Sequence, residues 1–157
     1  ARVRRIIPDA AIRSTFIVGF PGESEVQFRH LLADLEVLQL DHAAAFAYSR
    51  EDLAPSSRYT GQVRRGMKTR RLREFMAVQQ RVSLAVNERR YLDTDVEVLV
   101  DATEGSDVTG RTFLDAPDVD NVVHVRVRRG QVRPVPGQTV QVHIVEAGPY
   151  DLKVTLT

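Results

Sequence analysis

Apolar and polar positions follow three different rhythms along this chain, and each rhythm predicts a different kind of element. From Ile12 to Phe20 the residues are largely apolar, β-branched or aromatic, with Pro8 ahead and Pro21-Gly22 behind. A short run bounded by turn residues predicts a strand. Ser24, followed three residues later by Gln27, has the form of a capping box. Val26, Leu31, Leu32, Leu35 and Leu38 then recur at helical spacing to about Gln39. After Leu40-Asp41 a second apolar run, His42 to Tyr48, predicts another strand. Strand, helix and strand in close succession form one parallel crossover unit. A parallel sheet needs both faces covered, so two strands alone are expected to be the end of something larger.

The stretch from Pro55-Ser56-Ser57 to Gly61 predicts a loop. From about Val63 to Tyr91 the rhythm is helical, with Met67, Leu72, Phe75, Met76, Gln79, Val82 and Val86 on one side and arginines elsewhere. Gly66 weakens the first turn by about 1 kcal/mol relative to alanine. Beyond it the period drops to two. Val96, Val98 and Val100 alternate with polar or outward positions, as do Val123, Val125 and Val127. So do Val140, Val142 and Ile144, and then Leu152, Val154 and Leu156. A further strand is predicted over Gly110 to Leu114. Turn signals separate these runs: Glu104-Gly105-Ser106, Ala116-Pro117-Asp118, Arg129-Gly130, Pro136-Gly137 and Gly148-Pro149. Five short strands, each with one apolar face, predict a small closed barrel of OB size. The expected organisation is an α/β part over residues 1–60, a linking helix over 61–90 and an all-β barrel over 91–157.

Composition narrows the possibilities. At 157 residues the chain is too short for a closed eight-stranded α/β barrel, which takes at least ~200. It has no cysteine, so these residues hold no disulfide, no thiolate zinc site, no cysteine-ligated iron–sulfur cluster and no cysteine nucleophile. The longest apolar runs fall short of the ~18 residues of a membrane span. No signal-peptide stretch follows Ala1-Arg2-Val3-Arg4-Arg5, and a cytoplasmic setting is expected. The formal net charge of +1 hides a segregation. Residues 58–90 carry ten basic and two acidic side chains, whereas residues 91–157 carry six basic and eleven acidic. A long basic helix is ordinarily a solvated face around a buried stripe; nucleic-acid contact is the alternative.

Candidate chemistry gathers at the C-terminal ends of the two parallel strands, where α/β folds place ligands. The turn Gly19-Phe20-Pro21-Gly22-Glu23 has two glycines that let a ligand approach the backbone, or it is an ordinary strand-to-helix turn. Arg13 and Thr15 share one face of the first strand. An arginine in so apolar a strand calls for an anionic partner, either a ligand carboxylate or a neighbouring side chain. Phe46 and Tyr48 end the second strand, where aromatics flank a nucleobase-like ring or simply serve the core. The core role is the plainer reading, with Arg50-Glu51 a solvated pair. His30, His42, His124 and His143 show no metal-ligand spacing. The barrel has few aromatics (Tyr91, Phe113, Tyr150), and its acidity opposes phosphate. Such a module suits a basic protein partner, or the charge serves solubility alone.

A family resemblance adds to this. Ile7-Pro8, the run Ile12 to Glu23, and Phe46-Ala47-Tyr48-Ser49-Arg50-Glu51 resemble the late barrel strands of radical S-adenosylmethionine methylthiotransferases. Met76-Ala77-Val78-Gln79-Gln80 and Asn87 resemble the segment that joins that barrel to the C-terminal TRAM β-barrel, which residues 91–157 resemble in turn. Gly110-Arg111-Thr112, Asp115-Ala116-Pro117-Asp118-Val119-Asp120 and Tyr150-Asp151-Leu152 are similar to the branch that modifies ribosomal protein S12. The tRNA-modifying branch usually lacks the Asp-Ala-Pro-x-Val-Asp pattern. Two features depart from the family: its CxxxCxxC loop is absent, and Leu53-Ala54 stand where a Gly-Thr pair is usual.

The resemblance implies the C-terminal piece of a longer enzyme, inactive alone, with no catalytic residue and no metal ligand in this chain. It implies S-adenosylmethionine and two 4Fe–4S clusters as cofactors, the clusters ligated elsewhere. The implied reaction cleaves S-adenosylmethionine reductively, removes a hydrogen from the β-carbon of an aspartate in S12, and installs sulfur and a methyl group. Arg13 and Thr15 would then face the carboxylate or ribose side of the cofactor, and Phe46 and Tyr48 its adenine. S12, a highly basic protein in that family, would dock on the acidic barrel. A tRNA adenosine 2-methylthiotransferase, and a non-catalytic RNA-binding module using the arginine-rich helix, are the alternatives. The barrel is expected to fold by itself, and the isolated β-α-β piece to expose a sheet edge prone to aggregation.

Overall fold

The run that begins after Pro8 becomes a strand because its β-branched and aromatic residues find a parallel partner. The computed structural model describes residues 2–105, 107–116 and 122–157. The chain divides into two compact units, Ala1–Val82 and Ser83–Thr157. The division falls inside a helix, whose two parts are described with their own units.

The first unit contains α1 (Arg2–Ile6), β1 (Arg13–Val18), α2 (Glu25–Leu38), β2 (His42–Ala47), a 3-10 turn (Pro55–Arg58) and the first part of α3 (Arg65–Arg90). β1 and β2 pair in parallel, in register from Arg13 opposite His42 to Val18 opposite Ala47. The capping box forms as its residues predict: the Gln27 backbone N–H donates to Ser24 Oγ at 3.2 Å, and the Ser24 N–H donates to Gln27 Oε1 at 2.9 Å. The α2 C-terminus stops at Gln39, whose φ of 47° is left-handed.

The short α1 is absent from the sequence reading, and it carries a long-range clamp. Arg4 donates to the carbonyls of Leu38 at 3.2 Å and Gln39 at 2.7 Å, the carbonyls left over at the end of α2. The same guanidinium pairs with Asp41 at 2.9 Å, and the buried Asp41 carboxylate also accepts from the Ile12 N–H at 2.7 Å. One arginine thereby fixes the end of α2 and the starts of both strands.

Three expectations for this unit need correction. The buried residues of α2 are Phe28 and Leu35, whereas Val26 and Leu38 are exposed. In α3 the buried stripe includes Arg71, Phe75, Val78, Gln79 and Val82, while Met67 is exposed. The unit is small, so α2 has more apolar residues than the surfaces available to cover them. β2 stops at Ala47, and Tyr48 leads into the following loop.

The second unit is a closed barrel of β3 (Asp95–Glu104), β4 (Asp107–Arg111), β5 (Val123–Arg126), β6 (Thr139–Ala147) and β7 (Leu152–Leu156), in the order β3-β4-β5-β7-β6. β5 and β7 pair in parallel; the other pairs are antiparallel. Alternation puts Val98, Val100, Val108, Val123, Val125, Val142, Ile144, Leu152 and Val154 inside. Closure leaves no edge unpaired, which is how so small a sheet hides its backbone. β4 begins at Asp107 and ends at Arg111, earlier than its predicted range, because Thr112 to Asp115 close a turn. There the Asp115 carboxylate accepts from the Thr112 N–H at 3.1 Å and from its hydroxyl at 2.7 Å. Gly110 is required: a Cβ there would clash with the Leu99 carbonyl oxygen. Ser83 and Asn87 of α3 are buried and hold the β6–β7 turn, donating to the carbonyls of Pro149 at 2.7 Å and Gly148 at 2.8 Å. Ser106 of one predicted turn, and Pro117 to Asp120 of the Asp-Ala-Pro pattern, lie outside the described residues. Among the described residues no helix is long and apolar enough to cross a membrane.

Candidate functional site

Period-two alternation puts Arg13, Thr15 and Ile17 on one face of β1, and all three are exposed. Register brings Phe46 of β2 opposite Ile17, and these two apolar side chains are 64% and 56% exposed. The other face is covered: Val18 is buried, and Phe16 meets the ring of Phe75 at 5.3 Å. The sheet is thus finished on one side and open on the other. The open side collects a cation, a hydroxyl, an aliphatic residue and an aromatic ring.

Of the four residues singled out from the sequence, Arg13, Thr15 and Phe46 share that open face. Tyr48 lies one residue beyond the strand, and its side chain is buried. Its hydroxyl donates to Ser56 Oγ at 2.9 Å, its ring meets Phe20 edge-on at 5.2 Å, and Lys68 Nζ sits 4.7 Å from the ring centre. Lys68 also donates to the Tyr48 carbonyl at 2.9 Å. Tyr48 therefore anchors the strand end to the loop and to α3.

The turn after β1 is held by α3. Gly19 has φ of 72°, and a Cβ there would lie 2.6 Å from Lys68 Cγ, so glycine is needed on both counts. The Gly19 N–H donates to the Glu23 carboxylate in a short hydrogen bond. Arg71, almost fully buried, donates to that carboxylate at 2.7 Å and to the Glu23 carbonyl at 3.0 Å, and its guanidinium lies 5.3 Å from the Phe28 ring centre. Burial works to raise the Glu25 pKa, but the hydrogen bond from Arg71 and the charges of Arg70, Arg29 and Arg71 outweigh it and hold the carboxyl below its usual range. Sequence reasoning missed these pairs. The available signal was Arg71 itself, which falls on the same side of the helix as Phe75, Val78 and Val82.

On the barrel, one outer face is acidic. Asp95, Glu97, Arg111, Phe113, Asp115 and Gln141 border a shallow groove of about 620 Å3 along β3, β4 and β6. Register sets Asp95 opposite His143 and Glu97 opposite Gln141. Gln141, a neutral donor, reaches Glu97 at 3.0 Å and brings no charge to the carboxylate. Phe113 is 61% exposed beside it. Among the described residues no three side chains of metal-ligating type converge.

The closed five-stranded barrel has a known counterpart: residues 94–156 match the model of the TRAM domain family. The similarity to individual proteins extends further. Over 151 residues the chain is 44% identical to the ribosomal protein uS12 methylthiotransferase RimO of Desulforudis audaxviator, covering 96% of this chain and 33% of that protein. It is 44% identical to the protein of the same name from Thermus thermophilus (95% of this chain, 34% of that protein). It is 40% identical to that of Vibrio cholerae (95% and 31%). The chain thus spans about one third of the length of the curated relatives it matches, and it is their homologue over nearly all of its own length. A solved multidomain protein with nucleic acid binding domains from Streptococcus pneumoniae aligns over 43% of this chain and 23% of its own, with 12% identity and a TM-score of 0.34.

Proposed function

We propose that this chain is part of a ribosomal protein S12 methylthiotransferase, an enzyme that places a methylthio group on the β-carbon of an aspartate. The observation that carries the reading is the 44% identity to a uS12 methylthiotransferase over 96% of the chain. The division into residues 1–60, 61–90 and 91–157 serves it as catalytic-barrel strands, linking helix and docking module.

When bound, S-adenosylmethionine and two 4Fe–4S clusters supply the radical chemistry, the sulfur and the methyl group. This chain has no cysteine, so it offers the clusters no thiolate. The open face of β1–β2 does fit S-adenosylmethionine by donor chemistry. Arg13 pairs with a carboxylate, Thr15 hydrogen-bonds a ribose or amine, and the exposed Phe46 ring packs against a purine. Tyr48 serves the same site indirectly, by fixing the end of the strand that carries Phe46.

The acidic outer face of β3 and β6 receives the basic S12, giving orientation and association rate more than affinity. The setting is cytoplasmic, as for the ribosomal substrate. The test is mass spectrometry of S12 from cells lacking the gene that encodes this chain, with tRNA nucleosides measured in parallel. The expected result is an S12 aspartate without its methylthio group, with tRNA methylthioadenosine unchanged. Normal S12 modification overturns the reading. A lost tRNA modification instead moves the substrate to adenosine.

A further inference from the structure

The positive charges from Arg64 to Arg81, just before and within the first part of α3, divide into two populations. Arg70 pairs with Glu25 at 2.6 Å and Glu74 at 3.4 Å, Arg71 with Glu23 at 2.7 Å, Arg81 with Glu36 at 3.7 Å, and Lys68 donates to a carbonyl. These serve the fold. Arg64, just before the helix, and Arg65 and Arg73 within it are exposed. Among the described residues their side chains make no hydrogen bond or ion pair. Arg65, Thr69 and Arg73 recur at four-residue spacing and so lie on one helix face. With Gly66 and Arg70 they border a shallow groove of about 510 Å3, at whose edge Glu74 is neutralised by Arg29 at 3.0 Å.

Two features of this face have no use in the fold. The first turn of α3 has no acidic residue and carries Arg65 at the positive end of the helix, with Arg64 just ahead. Gly66 is also unforced: its backbone is helical, and a Cβ there would meet nothing within 4 Å. A helix-weakening residue with free space above it lets a ligand come close to the backbone. An anion removes the charge conflict.

We propose that this face binds the phosphate backbone of an RNA strand. Arg65 and Arg73 are ~12 Å apart along the axis. A nucleic-acid strand carries a charge on every nucleotide and can meet Arg65 and Arg73 at once, with Arg64 one residue ahead of the first. Guanidinium forks match phosphate oxygens in pairs. This inference does not rest on the methylthiotransferase reading, because it needs only the chain's own charges.

The test is fluorescence anisotropy of the 157-residue chain with a labelled single-stranded RNA over a sodium chloride series. Binding should weaken linearly in log affinity against log salt. The triple variant Arg64→Gln, Arg65→Gln, Arg73→Gln should flatten that slope by about 2, with circular dichroism unchanged. The variant Gly66→Ala should weaken binding while keeping the slope, since it removes space and no charge. A second triple variant, Arg126→Gln, Arg128→Gln, Arg129→Gln on the barrel, should leave the slope as it is. Three results overturn the proposal: no binding at low salt, flattening by the barrel variant and not by the helix variant, or displacement of the RNA by polyglutamate at equal charge.

Discussion

The two units solve the same problem, the unpaired backbone of a small sheet, with opposite completeness. The barrel pairs each strand on both sides and buries an inward residue at nearly every second position. The parallel pair β1–β2 has two edges and leaves one face in solvent, with Ile17 and Phe46 side by side on it. Enclosed parallel sheets carry apolar residues on both faces, and so do these strands. The barrel is therefore closed on itself, and the β1–β2 sheet leaves Ile17 and Phe46, with Arg13 and Thr15, on a face that is exposed among the described residues.

This contrast can be broken by one substitution in each unit. Ile144 is fully buried in the barrel, and Ile144→Ala should destabilise it by about 3–4 kcal/mol, from lost burial and a residual cavity. Phe46→Ser removes a larger apolar side chain yet should change the stability of the first unit by less than about 0.5 kcal/mol, because Phe46 is mostly in solvent. Amide hydrogen exchange of β6 and of β2 reads each unit separately. A comparable loss from both variants would mean that the open face is covered in solution.

The first unit has its own point of failure, which is electrostatic. Asp41→Ala leaves Arg4 without its carboxylate, and the Ile12 N–H and the end of α2 without their organiser. A loss of about 3 kcal/mol is expected, at the lower end for a buried pair because Arg4 stays partly in solvent. The expected signature is faster exchange at β1 and α2, with barrel amides unchanged. Loss of protection in the barrel as well would contradict the division into two units.

The same contrast explains what could be read in advance. Barrel alternation at Val98, Val100, Val123, Val125, Val142 and Ile144 is legible because each strand has one inside and one outside, a strict period of two. The capping box is legible because Ser24 and Gln27 act within one turn. The open face was legible in part: period two placed Arg13 and Thr15 together, and Phe46 joined them through the register. The fate of Tyr48 depended on Ser56 and Lys68, and no pattern links those residues in sequence. The Arg4–Asp41 clamp spans 37 positions and is invisible for the same reason. Which α2 positions are covered was not legible, because helical spacing offers Val26, Leu31, Leu32, Leu35 and Leu38 alike and does not single out Phe28, which is buried. Only the neighbours decide which of them is covered.

The smallest expected effect separates the units by the direction of their pH response. In the barrel, His143 contacts Asp95 at 2.8 Å and Asp93 at 3.1 Å. The hydrogen bond to Asp95 is the largest influence, and with the Asp93 bond it outweighs desolvation, so the pKa rises above 6.5. Its contribution to stability is complete below the unfolded value and disappears as the pH climbs through the folded one. Glu25 in the first unit is lowered from 4.5, so its contribution is complete above that value and disappears as the pH falls through the folded one. Both groups are exposed, and the changes are small. NMR titration of the His143 ring should give a midpoint above 6.5, and Asp95→Asn should lower it more than Asp93→Asn does. Equal shifts from the two variants would mean that the bond to Asp95 carries no more weight than the bond to Asp93.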